Sequence, residues 1–266
     1  MRGLARTTQK QMTHPSLRTE NLTIRFGGHA AVNNVTAAFR PGELTVIVGP
    51  NGAGKTTWFN LVSGQLRPTE GRIFKGDDDI SALSPSARAK IGVGRAFQLT
   101  NLFPRLTVRE NVRLAVQARE GKGPVILSRA SSLTGIARET EQHLADGRLS
   151  AVADLPASAL PHGDQRKLEV AMLMAMKPDI FMFDEPTAGM SAAEAPEILD
   201  LIAAIKTDRS KTILLVEHKM DVVRKLADRI VVLHNGELVA DGRPDEVMAL
   251  PIVREIYLGQ GAEDVA

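Results

Sequence analysis

Residues 49–56 read GPNGAGKT and follow the apolar run LTVIV. No other feature constrains this chain as much as a G-x-x-x-x-G-K-T spacing set between a strand and a helix. The glycines let the backbone wrap an anion. Successive N–H groups, joined by those that open the helix TTWFNLV, point at that anion. Lys55 then sets its charge against the β- and γ-phosphates of a nucleotide, and the Thr56 hydroxyl ligates Mg²⁺. Asn51, Gly52, Ala53, Gly54 and Thr57 complete the expected cradle.

Such a loop needs a second magnesium ligand on a neighbouring strand, and IFMFDEP supplies it. Four apolar residues end in Asp184, at the carboxyl end of a strand where α/β sites gather. Glu185 follows at once and is placed to polarise an attacking water. Met172, Met174, Met176 and Met182 lie nearby in sequence and are read as core filler, not as ligands.

The surrounding pattern implies an α/β fold. Residues 165–233 alternate helical segments with short apolar strands, as in IFMFD, TILLV and RIVVL, which implies a mostly parallel sheet covered by helices. Residues 18–48 alternate as strands, with turns at Gly27-Gly28 and Pro41-Gly42, and Asn235-Gly236 marks a hairpin. From about 99 to 155 the pattern is helical and polar around a loose stretch, EGKGPVILSRASSLTG, as expected of a helical insertion with a mobile connection.

A length of 266 residues suits one large domain or a core with an insertion. The 43% hydrophobic content supplies a core, and at 4% aromatic residues it must be filled by aliphatic side chains. A net charge of +2, without a basic stripe, argues against nucleic acid as a partner. The absence of cysteine excludes disulfides and thiolate metal sites. No apolar run approaches the ~18 residues of a membrane span, so any membrane role comes through partners. The opening MRGLARTTQKQMTHPSL lacks the apolar stretch of a signal peptide and is read as a flexible basic tail.

With these two motifs in this order and a third between them, the chain over about residues 17–260 resembles the ATPase subunit of ABC transporters. The resemblance implies a P-loop NTPase core with an N-terminal antiparallel β part and a helical insertion at about 99–160, flanked by tails at 1–17 and 261–266. It implies ATP and Mg²⁺ as cofactors. Phe26, in RFGG, matches the aromatic residue that stacks on adenine. Gln98, in GRAFQ, matches the glutamine that reaches the metal and the attacking water and begins the loop contacting the membrane subunits. His218, in LLVEH, matches the histidine that senses the γ-phosphate. AGMS at 188–191 occupies the loop crossing the dimer interface, where Ser191 and Glu194 also read as a capping box.

LPHGDQ stands where the family signature, usually LSGGQ, faces the ATP of a partner subunit. Pro161 replaces a serine, His162 a glycine and Asp164 a glutamine, while Gly163 is retained. His162 has no acid or second histidine placed in sequence to make it a metal ligand or general base.

FGG, EPTAGMS, VEHKMD and VREIYLG are similar in style to the branched-chain amino acid importers. That likeness implies a second, different ATPase subunit, two transmembrane permease subunits and indirectly a periplasmic binding protein, with this chain peripheral on the cytoplasmic face of the inner membrane. Importers of urea, amides or small organic acids are alternatives, as is a lipopolysaccharide exporter, which would be expected to keep a standard signature. The stretch between Lys55 and Asp184 leaves no room for the long coiled coil of a chromosome-maintenance ATPase. A nucleoside kinase or small GTPase has no use for residues 160–169 or His218.

Overall fold

The computed structural model describes residues 16–96, 102–121, 130–191 and 193–258. In chain order the first half comprises β1 (Leu17–Phe26), β2 (His29–Phe39), β3 (Leu44–Val48), α1 (Lys55–Ser63), β4 (Glu70–Lys75), β5 (Asp78–Asp79), α2 (Pro85–Lys90), β6 (Val93–Ala96), α3 (Val108–Arg119) and α4 (Ala130–Asp146). The second half comprises α5 (His162–Ala175), β7 (Ile180–Asp184), α6 (Ala195–Ile205), β8 (Thr212–Val216), α7 (Met220–Leu226), β9 (Arg229–His234), β10 (Glu237–Gly242), α8 (Pro244–Ala249) and α9 (Pro251–Leu258).

Three of the strands carrying the motifs are buried along their whole length. LTVIV, IFMFD and TILLV expose no residue, as continuous apolar runs do in a parallel sheet covered on both faces. They lie in a six-stranded sheet of order β10-β9-β3-β8-β7-β6, parallel except for β10. The β9–β10 hairpin turns on Asn235 and Gly236, both at positive φ, as a two-residue turn between right-twisted strands requires. A second, antiparallel sheet of order β2-β1-β4-β5 holds the N-terminal strands.

α1 is sandwiched between the sheets, with Trp58 and Phe59 buried in the cluster that both sheets share. The opposite face of the six-stranded sheet packs on α6, whose Ala195, Ile198, Leu199, Ile202 and Ile205 follow helical spacing, and on α7. α3, α4 and α5 build a third cluster of their own around Val108, Val112, Val116, Leu144 and Leu168.

Two sequence expectations shift. Leu17, expected to end a flexible tail, begins β1, fully buried and paired with Phe39 on one side and Lys75 on the other. The supposedly loose stretch is helical from residue 130, because the packing of Ile136 and Leu144 outweighs the poor propensity of Ser131, Ser132 and Gly135. Residues 122–129 of that stretch lie outside the described residues, as do 1–15 and 259–266.

Candidate active site

The phosphate loop leaves the carboxyl end of the central strand β3 and turns into α1 at Lys55. It hugs its surroundings so closely that a Cβ on Gly49 would collide with the Leu233 carbonyl, and one on Gly54 with the Ala31 carbonyl. Both residues hold positive φ, at 150° and 95°. Asn51, Gly52 and Thr56 are exposed, Gly54 and Thr57 half-buried and Ala53 buried. The first turn of α1 carries no acidic residue and no side-chain cap, so no carboxylate of its own offsets the positive end of the helix. Lys55 curls back over the loop, donating to the Gly49 and Pro50 carbonyls at 2.7 and 2.8 Å. Burial lowers its pKa, and the nearby Glu185 and Asp184 carboxylates oppose that shift.

Asp184 closes β7 one strand beyond β8. Its Oδ2 accepts from Arg95 at 2.6 Å, with both side chains buried. The Glu185 N–H donates to the carbonyl of Val216, the last residue of β8, so the ends of the two strands are locked together. Glu185 sits at φ 51°, in the left-handed region that non-glycine residues rarely hold outside turns and functional sites. This bend turns its carboxylate toward the residues after β8, where His218 Nε2 lies 2.6 Å from Glu185 Oε1. Glu217, between Val216 and His218 in the chain, points inward and is buried, accepting from Thr187 Oγ1 and from the Lys219 N–H. Burial pushes its pKa up.

The structure thus brings Lys55, Asp184, Glu185 and His218 to one end of the six-stranded sheet. Phe26 ends β1 with 52% of its surface exposed, so its ring is not part of the core. Ala31 on the paired strand β2 abuts Gly54, so the hairpin carrying Phe26 leans on the phosphate loop. Gln98 lies outside the described residues.

Pro161, Gly163 and Asp164 do not join this group. Pro161 is the N-cap of α5 and contributes no side-chain hydrogen bond there. A Cβ on Gly163 would sit 2.9 Å from Glu194 Oε1, and one on Gly189 would sit 3.7 Å from the His162 ring, so the signature segment packs on the 188–194 loop. Asp164 holds Lys167, which also reaches Glu197. Ser191 and Glu194 exchange the hydrogen bonds of a capping box, although α6 itself begins at Ala195.

Sequence reasoning passed over Arg95, quoted within GRAFQ, and Glu217, quoted within LLVEH. A basic residue before Gln98 and an acid before His218 were visible, but the side chains they bond, Asp184, Asn60 and Ser63 for Arg95 and Thr187 for Glu217, lie far away in sequence. Met182 is core, whereas Met172 and Met176 line an apolar groove of about 440 Å³ with Arg95, Leu102 and Phe103. Among the described residues no cluster of three or more acids or histidines exists to cage a metal. One carboxylate and one hydroxyl beside a phosphate loop are nevertheless the hard oxygen donors that fit Mg²⁺, which keeps waters and phosphate oxygens in its shell.

A phosphate loop on a central parallel strand, faced by paired acids two strands away, makes this a P-loop nucleoside triphosphatase. Residues 32–188 match the family model of the ABC transporter. The chain is 39% identical over 254 residues to the high-affinity branched-chain amino acid transport ATP-binding protein LivG of Escherichia coli (strain K12), covering 94% of this chain and 100% of that protein. Among solved structures it resembles a nucleotide-free ATP-binding cassette from an ABC transporter (TM-score 0.77, 29% identity, 91% of this chain and 98% of that one). It also resembles a dimeric ATP-binding cassette in a post-hydrolysis state with ADP and Pi (TM-score 0.72, 27% identity, 85% and 98%). The chain belongs to the ABC transporter family, and is an ATP-binding ATPase of that family.

Proposed function

We propose that this ATPase powers an importer of branched-chain or related amino acids. The observation that carries the substrate class is the likeness to LivG, which runs the full length of that relative. On this reading the chain sits on the cytoplasmic face of the inner membrane with a second, different ATPase subunit and two transmembrane permease subunits, fed by a periplasmic binding protein. The dimeric state of a solved relative supports the pairing. The apolar groove beside the end of β6 supports a docking role for the helical part, taken as an insertion at about 99–160.

Within the site, the loop N–H groups and Lys55 bind the ATP phosphates, and Phe26 stacks on the base. Thr56 and Asp184, with Gln98, would hold Mg²⁺, which when bound offsets charge on the β- and γ-phosphates. Glu185 orients the attacking water, and His218 fixes the Glu185 carboxylate at 2.6 Å. Pro161, Gly163 and Asp164 face the ATP held by the second subunit.

The test is uptake in vesicles carrying the chain with its permease subunits and binding protein. ATP-dependent leucine, isoleucine or valine uptake is expected. Transport of urea, short amides or organic acids in their place would sink the substrate assignment and leave the ATPase intact.

A further inference from the structure

Arg95 lies opposite Met182 in the β6–β7 pairing, and Asp184 is two residues further along the same face of β7. Its guanidinium is almost fully enclosed. One nitrogen donates to Asp184 Oδ2 at 2.6 Å, and another to Asn60 Oδ1 and Ser63 Oγ on α1 at 2.7 and 2.9 Å. The Phe59 ring lies 5.4 Å from its centre. So a cation is fixed to the carboxylate expected to hold the metal, and its position is held by α1, the helix that follows the phosphate loop.

This changes the charge of the site. Asp184 and Glu185 supply two negative charges around Lys55, whose ammonium feels both. With Lys55 and Arg95 both present, the two acids and two bases balance. A carboxylate whose charge is already met, with no neighbouring cage of acids, has little hold on a divalent cation by itself. The missing negative charge arrives with the nucleotide phosphates.

We propose that Arg95 makes cation binding at Asp184 conditional on nucleotide: it occupies Oδ2 and cancels the carboxylate charge, so that the metal enters with ATP and not ahead of it. Arg95 is a positioning residue that acts through Asp184. The proposal rests on the reading of Asp184 as the magnesium carboxylate.

Mn²⁺ titrated into the full-length chain without nucleotide, followed by its electron paramagnetic resonance signal, reads this directly. Arg95→Met should bind Mn²⁺ about 10-fold or more tighter than the parent chain, since a unit charge beside the ligand is gone. Arg95→Lys keeps the charge and should bind Mn²⁺ as weakly as the parent. Should the methionine variant not fold, Arg95→Gln keeps a donor for Asp184 without the charge and should show the same gain. Adding Asp184→Asn to the tighter variant should abolish the gain. Nucleotide-free Mn²⁺ affinity that stays level or falls in both neutral variants overturns the proposal, as does a gain that survives Asp184→Asn. The underlying reading has its own check: Asp184→Asn alone should weaken Mn²⁺ binding in the presence of ATP, and unchanged binding there refutes the magnesium assignment whatever Arg95 does.

Discussion

His218 Nε2 stands 2.6 Å from Glu185 Oε1, and the contact exists because β7 and β8 end side by side while Glu185 takes a left-handed backbone turn. The two residues therefore form one unit. Glu185→Gln should leave ATP binding intact and slow hydrolysis by at least ~10²-fold, the low end of a positioned acid–base group. His218→Ala should slow it as well. The double variant should be about as slow as the worse single, because groups that act together do not add. Single-turnover hydrolysis measures all three, and a multiplicative loss in the double variant would show that the contact is incidental.

Phe26 ends its strand with an exposed ring beside a hairpin that touches Gly54. Phe26→Ala should weaken ATP and GTP binding alike, by about 1–3 kcal/mol, since stacking tolerates either base. Fluorescence titration with both nucleotides checks it. Equal affinities before and after would leave Phe26 without a role in binding.

Glu185 was legible in the sequence from a local pattern, an apolar strand ending in acids, and Phe26 and His218 were legible through the resemblance to the family's motifs. Arg88 was not. It is fully buried and donates to the carbonyls of Leu61, Val62, Ser81 and Leu83, so it caps the end of α1 from a helix more than twenty residues away. A basic residue in PSARAK reads as a solvated helix face, and no spacing rule reveals a cap made across the fold. Arg95 and Glu217 were hidden for the same reason. The LPHGDQ segment was located by its place between motifs, but its packing against Glu194 and Gly189 required the structure.

Arg88→Met should therefore destabilise the chain by about 3 kcal/mol, the scale of leaving several buried acceptors without their donor. Burial already lowers the Arg88 pKa to about 10, so the guanidinium is held by these carbonyls against a real desolvation cost. In urea the midpoint should fall with little change in slope. A midpoint shift within experimental error would mean that α1 does not depend on this cap.

Glu217 offers a pH test. Burial raises its carboxyl pKa above 4.5, so ionisation costs more in the folded chain than in the unfolded one. The stability this contributes is fully present below the unfolded pKa and is lost as pH rises through the folded value. Glu217→Gln cannot titrate and keeps an acceptor for Thr187. Stability measured from pH 4 to pH 8 should favour the glutamine variant increasingly as pH rises above 4.5. A constant difference between the two proteins across that range would mean that the Glu217 carboxyl titrates normally.

Pro161 caps α5 with no side-chain hydrogen bond, although the helix N–H groups behind it need an acceptor. A serine there has two separable consequences. In the isolated chain, Pro161→Ser should raise stability by about 0.5–2 kcal/mol through the new cap. In a heterodimer, the same hydroxyl would meet the γ-phosphate held by the other subunit, a bond worth roughly 1.5–3 kcal/mol to a charged group. Turnover should then rise at the partner's ATP alone, because Lys55, Asp184, Glu185 and His218 of this chain face the other nucleotide. Site-specific nucleotide trapping in the assembled complex separates the two sites. Equal acceleration at both would mean that two copies of this chain pair with each other. A stabilised chain with no acceleration at either site would mean that Pro161 limits only the helix, and that His162 or the loop backbone already serves the phosphate.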